Sequence, residues 1–132
     1  MVSKITMYKL ESGGADASGD ASVISSKIVR GKLLAVHIIY DASSAATTDV
    51  QLVHLGSDYG GADQTLLNIV NNNTSGWYYP RTAAQDSSGS DLTFDGSNTI
   101  PTEFIVFGRL KLTVAGQTEN KEVKAYILVE EY

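Results

Sequence analysis

Residues 110–129 read LKLTVAGQTENKEVKAYILV, and this stretch decides the fold class. Apolar and polar side chains alternate through residues 110–114 and again through residues 123–129. Alternation with a period of two places the apolar side chains on one face of an extended strand. Residues 115–120, between the two runs, are mostly polar and include one glycine, which is typical of a hairpin loop. The sequence therefore predicts two antiparallel neighbouring strands in the C-terminal quarter.

Other strands are predicted upstream of this pair. Residues 33–40 are apolar on both faces and are predicted to form the most buried strand. Gly31 either separates two strands or marks a bend within one long strand. Further strands are predicted at residues 5–10, 22–30, 49–55, 65–71, 92–94 and 103–110. About eight short strands at this spacing predict an all-β, antiparallel β-sandwich, jelly-roll-like, with an immunoglobulin-like sandwich as the alternative.

The length and composition indicate one folded domain. The chain has 132 residues, of which 42% are hydrophobic and 19% charged, as expected of a globule with a single core. We therefore predict one sandwich domain spanning residues 1–132, in which residues 1–20 form a strand or arm followed by a flexible loop. Residues 11–21 and 85–98 are rich in Gly, Ala, Ser and Asp and are predicted to be mobile loops.

Charge and motifs argue against several functions. The net charge of -5 would repel a phosphate backbone, so no nucleic-acid partner is expected. The absence of cysteine excludes thiolate catalysis and Cys-based zinc sites. No nucleophile-elbow or phosphate-loop motif occurs, so we expect no enzyme activity and no cofactor. No signal peptide or membrane helix is recognisable, so we expect synthesis in the cytoplasm and no membrane partner.

Histidines and loop carboxylates are the candidate metal ligands. His37 and His54 lie in strands that could be neighbours, but neither has a carboxylate in a short-range motif, which favours structural roles. Asp86, Asp91 and Asp95 do not have the spacing of a calcium-binding loop, so ordinary turn chemistry is favoured. The sequence therefore predicts no metal site.

The segment WYYPR at residues 77–81 is the most unusual local feature. Aromatic rings with a neighbouring arginine are typical of a protein interface or a glycan-binding platform. The alternative is that Trp77 and Tyr79 cover one end of the sandwich. The candidate interface residues are Trp77, Tyr78, Tyr79, Arg81, Tyr40 and His37.

The strand at residues 33–40 adds a prediction about assembly. Alternation places Leu33, Ala35 and Ile39 on one face. It places on the other face Leu34, Val36, Ile38 and Tyr40. Two apolar faces are more than a small sandwich covers alone, which predicts a homo-oligomer.

Several stretches together resemble small structural proteins of tailed-phage virions, of the capsid decoration or cement type. They are residues 31–40, residues 46–50, residues 77–81 followed by Asp86 and Gly89, and the terminal pair of strands. The resemblance covers residues 20–132 in order and spacing. It implies an abundant, trimeric β-sandwich protein of the virion that binds the major capsid protein on the outer surface of the shell. A glycan-binding module or a fibre or tail module on a virion surface is the alternative.

Overall fold

A computed structural model describes residues 3–131, so the first two residues and the last residue of the predicted domain lie outside the described part. This part is nearly all β, with one 3-10 turn at Ser57–Tyr59. The strands are β1 (Lys4–Glu11), β2 (Ala21–Ile24), β3 (Val29–Tyr40), β4 (Asp49–His54), β5 (Gln64–Ile69), β6 (Gly76–Tyr78), β7 (Thr82–Ala83), β8 (Pro101–Thr102), β9 (Ile105–Gly108), β10 (Leu110–Ala115) and β11 (Val123–Glu131).

The strands form two main antiparallel sheets that enclose the core. The front sheet has the order β1-β11-β3-β6, and β9 pairs with the first residues of β3. The back sheet has the order β2-β10-β4-β5. The strands β7 and β8 form a separate two-stranded ladder. This arrangement confirms the predicted antiparallel β-sandwich.

The pairing order is that of a jelly roll. The chain folds back on itself as one long ribbon, in which β4 pairs with β5, β3 with β6, β2 with β10 and β1 with β11. Each of the first three connections passes from one sheet to the other. In an immunoglobulin-like sandwich the first two strands would be neighbours in one sheet. The jelly-roll-like topology is therefore the one adopted.

The core lies between the two sheets and is formed by every second residue of their strands. Leu33 and Ile127 from the front sheet and Leu52 and Leu112 from the back sheet are fully buried. Each such side chain stabilises the fold by about 1.5–3 kcal/mol relative to its exposed state. Alternating burial is clearest in β10 and β11, whose patterns are strictly periodic.

The predicted C-terminal hairpin is wrong. β10 belongs to the back sheet and β11 to the front sheet, so the loop between them crosses the top of the core. Alternation correctly identified the buried face of each strand, but two strands facing each other across a core have the same pattern as two neighbours.

The two faces of β3 also differ from the prediction. Gly31 lies within one long strand, with φ at 130°. Leu33 is opposite Val129 and Ala35 is opposite Leu128, so Leu34 is an extra residue and forms a bulge. The bulge reverses the alternation. The inner face therefore carries Leu33, Val36, Ile38 and Tyr40, while the outer face carries Ala35, His37 and Ile39.

Smaller differences concern strand bounds. The predicted strand at residues 22–30 is interrupted after Ile24, where Ser25 bonds to the backbone of Lys27. The predicted strand at residues 92–94 is reduced to an isolated bridge at Thr93. In the loop of residues 11–21, Ala15 is buried and bridges Glu119, so part of this loop packs against the sandwich.

Candidate functional site

The outer face of the front sheet carries a row of ring side chains. From β1 to β6, one row across the sheet consists of Lys9, Tyr126, His37 and Trp77. The rings of His37 and Trp77 stack at 4.3 Å with an interplanar angle of 8°. His37 and Tyr126 are 6.3 Å apart, and Lys9 Nζ lies 5.6 Å from the Tyr126 ring centre. Aromatic and cation–π contacts thus connect all four strands.

Aliphatic side chains extend this row. Met7, Leu128 and Ala35 form the neighbouring row, in which Met7 is 59% exposed. Ile105 and Phe107 on β9 also point outward, because the residues that alternate with them, Val106 and Gly108, are buried. They are 65% and 60% exposed. The outer face of the front sheet therefore carries an apolar and aromatic surface across β1, β11, β3 and β6, and the two β9 side chains lie beyond Arg30 and Lys32.

The same outer face is rich in positive charge. Its cationic side chains are Lys9, Arg30, Lys32 and Lys124, and its acidic side chains are Glu11, Glu122 and Glu130. Lys9 pairs with Glu11 at 2.7 Å, which raises the pKa of the lysine and lowers that of the glutamate. In a chain with a net charge of -5, four cations against three anions give this face a net charge of about one positive unit.

The outer face of the back sheet is different. Its exposed rows contain mostly small or polar side chains such as Gln51, Asn68 and Thr113, with Ile24 and Val53 as apolar exceptions beside Lys111. A face of this composition is suited to contact with water. The two faces of the sandwich therefore differ in chemistry although both are accessible.

The six predicted interface residues do not share one surface. His37 and Trp77 lie on the outer face of the front sheet, and Tyr79 is exposed just after β6. Alternation turns Tyr78 to the inner side, where it packs against the core and accepts a hydrogen bond from Asn72 Nδ2 at 2.9 Å. Tyr40 is buried at the end of β3. Tyr40 and Tyr78 are therefore part of the core rather than of the candidate interface.

Trp77 does not close an end of the sandwich, which was the alternative for this residue. It is 51% exposed and contacts His37 on the outer face. Sequence reasoning missed that WYY begins within a strand, because β6 is three residues long and starts with a glycine.

Arg81 has a positioning role at the edge of the front sheet. Its Nη1 donates hydrogen bonds to the carbonyl oxygens of Leu34 at 3.1 Å and Pro80 at 2.7 Å. The Leu34 carbonyl belongs to the bulge of β3. The bulge thus supplies the acceptor that holds the chain where it leaves β6.

The two histidines are not neighbours, contrary to the expectation for their strands. His37 is on the outer face of the front sheet, whereas His54 is buried in β4 of the back sheet. His54 Nε2 accepts a hydrogen bond from the backbone N–H of Phe107 at 3.2 Å. This bond joins β4 to β9, so His54 has a structural role.

Two of the three acidic loop residues, Asp86 and Asp95, act as acceptors within turns, as predicted, whereas Asp91 Oδ1 accepts a hydrogen bond from Gln85 Nε2 at 2.9 Å. Asp86 Oδ1 accepts the backbone N–H groups of Ser88 and Ser90. Asp95 Oδ1 does the same for Asn98 and Ser97, and these bonds lower the pKa of Asp95. Across residues 3–131, no three His, Asp or Glu side chains are grouped so that they could hold a metal ion.

Residues 82–102 form a small substructure that we call the projection. Its base is the ladder of β7 with β8, and backbone bonds connect Ala84, Leu92 and Ile100 in a closed triangle. Residues 85–101 are all exposed. Phe94 is 69% exposed, and Leu92 and Ile100 are partly exposed, at 41% and 37%.

Sequence reasoning treated this segment as a mobile loop and missed most of the outer face. The available signals were Leu92 and Phe94 inside a Ser, Gly and Asp-rich stretch, and strands that are apolar at consecutive positions, such as β9.

Comparison of the chain with protein-family models, curated proteins and solved structures found no match in any of the three. Within the described residues, no helix has the length and apolar character needed to cross a membrane.

Proposed function

We propose that this chain is a non-catalytic structural protein that assembles through the outer face of its front sheet and decorates or cements the capsid surface of a tailed phage. The observation that carries the proposal is the exposed apolar and aromatic surface formed by β1, β11, β3 and β6. Single-chain soluble domains rarely expose a continuous apolar surface of this kind unless a partner covers it.

The contrast between the two sheets supports an interface on the front sheet. If both outer faces contacted solvent, both would be expected to carry small and polar residues, as the back sheet mostly does. A protein interface usually has aromatic rings and methionine at its centre and charged groups around them. Trp77, Met7 and Leu128 provide the apolar part, and Lys9 and Lys124 provide charge nearby.

The placement on a virion rests on the sequence resemblance described above. Jelly-roll sandwiches occur in viral capsid domains and also in lectins. The fold is therefore compatible with both candidate functions, and the surface chemistry has to distinguish between them.

Glycan binding is the second candidate, because half of the Trp77 surface is exposed beside a stacked ring. Sugar rings stack on such aromatic faces. The neighbouring apolar row of Met7 and Leu128 favours a protein partner, since it offers a sugar no hydrogen bonds. Alternation also removes Tyr78 from the platform of three aromatics that a glycan site was predicted to use.

The test replaces Trp77 by alanine and uses Tyr59→Ala as a matched control. Tyr59 is also an exposed aromatic residue beside a histidine, but it lies in the 3-10 turn away from the front sheet. We expect Trp77→Ala to weaken self-association by on the order of 2–4 kcal/mol, as for an interface anchor. The same change should lower folding stability by about 1 kcal/mol, because the ring loses its contact with His37.

Oligomer mass from light scattering, melting temperature and occupancy on purified virions should be measured on the same samples. Loss of association and occupancy in Trp77→Ala, with Tyr59→Ala unchanged, supports the proposal. Unchanged association and occupancy together with lost binding on a glycan array would replace it with the glycan function. If all measurements are unchanged, neither function involves Trp77.

A further inference from the structure

We infer that the projection of one copy docks on the outer face of the front sheet of a second copy. This inference rests on the proposed function and deepens it, because it names what covers that face. The occupant is a defined part of this chain, residues 82–102.

The projection has the properties of an element that a partner covers. Residues 85–101 are all exposed, so no side chain of this segment is buried in its own chain. It is held by backbone bonds and by the turns at Asp86 and Asp95 rather than by buried side chains. Leu92, Phe94 and Ile100 are available for apolar contact.

The position at which the projection is attached to the sheet favours a contact with a second copy. Its two ends leave the middle of β3, where Arg81 bonds to the carbonyl of Leu34 and the N–H of Leu33 donates to Phe104 at 2.9 Å. This edge lies between β6 and β9. The projection is therefore carried at the edge of one front sheet, where a neighbouring molecule can contact it.

The charges of the two surfaces are complementary. Residues 82–102 contain three acidic residues, Asp86, Asp91 and Asp95, and no Lys, Arg or His. The outer face of the front sheet carries four cations and three anions, one of which, Glu11, is paired with Lys9. Opposite charges around an apolar centre favour the docked orientation and speed up the encounter.

The outer face alone is too small for a stable interface, so a second element has to contribute buried area. Four strands about 4.8 Å apart and about eight residues long, at about 3.4 Å per residue, give a flat area on the order of 500 Å². A stable interface buries about 800 Å² on each partner. Each copy buries its front face under one neighbour's projection and buries its own projection on another front face. Together these two contacts bring the buried area of each copy to about 800 Å².

The contact joins two different surfaces, so it is heterologous. Contacts of this type close into rings when the rotation between copies permits. A two-fold pair in which each projection docks on the other copy is the smallest closed form, and the trimer predicted from the sequence resemblance is the next. The projection would then reach from each copy to the next around the ring.

Cysteine cross-linking tests the contact directly, since the chain has no cysteine of its own. Full-length Phe94→Cys is mixed with full-length Met7→Cys, one of them carrying a mass tag, and treated with a short bis-maleimide. The control mixture replaces Met7→Cys by Val70→Cys, because Val70 is equally exposed but follows β5 of the back sheet. Docking raises the local thiol concentration to about millimolar, so at micromolar protein we expect the heterodimer to form about tenfold faster than in the control or more.

The outcomes separate the inference from the proposed function. Equal rates in the two mixtures would overturn the inference. A Met7→Cys/Phe94→Cys double variant could also cross-link efficiently within single chains. If excess cysteine-free protein does not reduce this reaction, the projection lies on its own sheet and the inference is overturned. If Trp77→Ala abolishes assembly while cross-linking stays at the control rate, the front sheet is an assembly surface for another partner and only the inference fails.

Discussion

Tyr40 lies at the end of β3 with its hydroxyl group in the core. The side chain is 7% exposed, and the hydroxyl has no hydrogen-bond partner among residues 3–131. Burial, and secondarily the nearby Tyr78, raises the pKa of Tyr40 to about 12. An unpaired buried hydroxyl costs about 1–3 kcal/mol of stability. The aromatic ring, rather than the hydroxyl, is what stabilises the fold at this position.

Tyr40→Phe is therefore expected to retain or increase the stability of the protein. Removing the hydroxyl eliminates an unsatisfied polar group, and we expect a gain of up to about 1 kcal/mol. Chemical denaturation at neutral pH measures this difference. Tyr59→Phe is the control, because Tyr59 is exposed and its replacement should have little effect. A loss of more than about 1 kcal/mol would mean that the Tyr40 hydroxyl has a partner in solution.

The raised pKa of Tyr40 also predicts a pH effect. Its pKa of about 12 in the folded state exceeds the ordinary value of 10.0, so the folded state retains the hydroxyl proton to higher pH than the unfolded state does. The stabilising contribution is complete below pH 10 and is lost as the pH rises toward 12. Denaturation midpoints measured across this range should fall less steeply in Tyr40→Phe than in the parent. Tyr8 keeps some alkaline sensitivity in both proteins, since burial and the bond to Glu131 raise its pKa to about 12.

At the scale of the elements, β3 organises the front sheet. It pairs with β11 along one edge and with β6 and β9 along the other. Gly31 allows β3 to continue through the point where it passes from β9 to the bulge. A Cβ atom at Gly31 would lie 2.2 Å from the Glu130 carbonyl oxygen, and φ is 130°. Both the close backbone and the dihedral angle require glycine.

Gly31→Ala is expected to destabilise the fold by about 2 kcal/mol or more, because strain at such a dihedral angle costs about 1–3 kcal/mol before the clash is counted. Gly76→Ala is the matched control in the neighbouring strand β6. No heavy atom of the described residues lies within 4 Å of its added Cβ. The control should change stability little. Thermal melts of the two variants make the comparison, and equal melting temperatures would contradict the role given to Gly31.

The elements also show what the sequence can and cannot predict. Strand periodicity identified most of the sandwich strands, since burial of one face determines the pattern within each strand. It misassigned residues 110–129 as a hairpin because the pattern carries no information on which strand is the neighbour. Alternation also failed at Leu34, since a one-residue bulge reverses the faces of β3 without a recognisable sequence signal. Trp77 and His37 were identified as site residues, whereas Met7 and Phe107 became visible only when pairing brought their strands together.

At the scale of the whole molecule, the two sheets have different surroundings in the proposed assembly. The back sheet contacts solvent, and the front sheet is covered by the projection of the next copy. Since the apolar part of that contact is insensitive to simple salt and the charged part is screened by it, ionic strength separates the two contributions.

We expect self-association to weaken about two- to tenfold when sodium chloride is raised from about 0.05 to 0.5 M, as a few exposed charge pairs of about 0.2–1 kcal/mol each are screened. Lys9→Glu with Lys124→Glu should reproduce the weakening at low salt and remove most of the salt dependence. Lys111→Glu makes half of this charge change on the back sheet, away from the front sheet, and is the control. Adding Asp91→Lys to the weakened variant should restore part of the affinity, because it places a cation opposite the new carboxylates. Analytical ultracentrifugation measures the association constant of all four proteins. Docking by complementary charge would be contradicted if association strengthens with sodium chloride. It would also be contradicted if the control associates as weakly as the Lys9 and Lys124 variant.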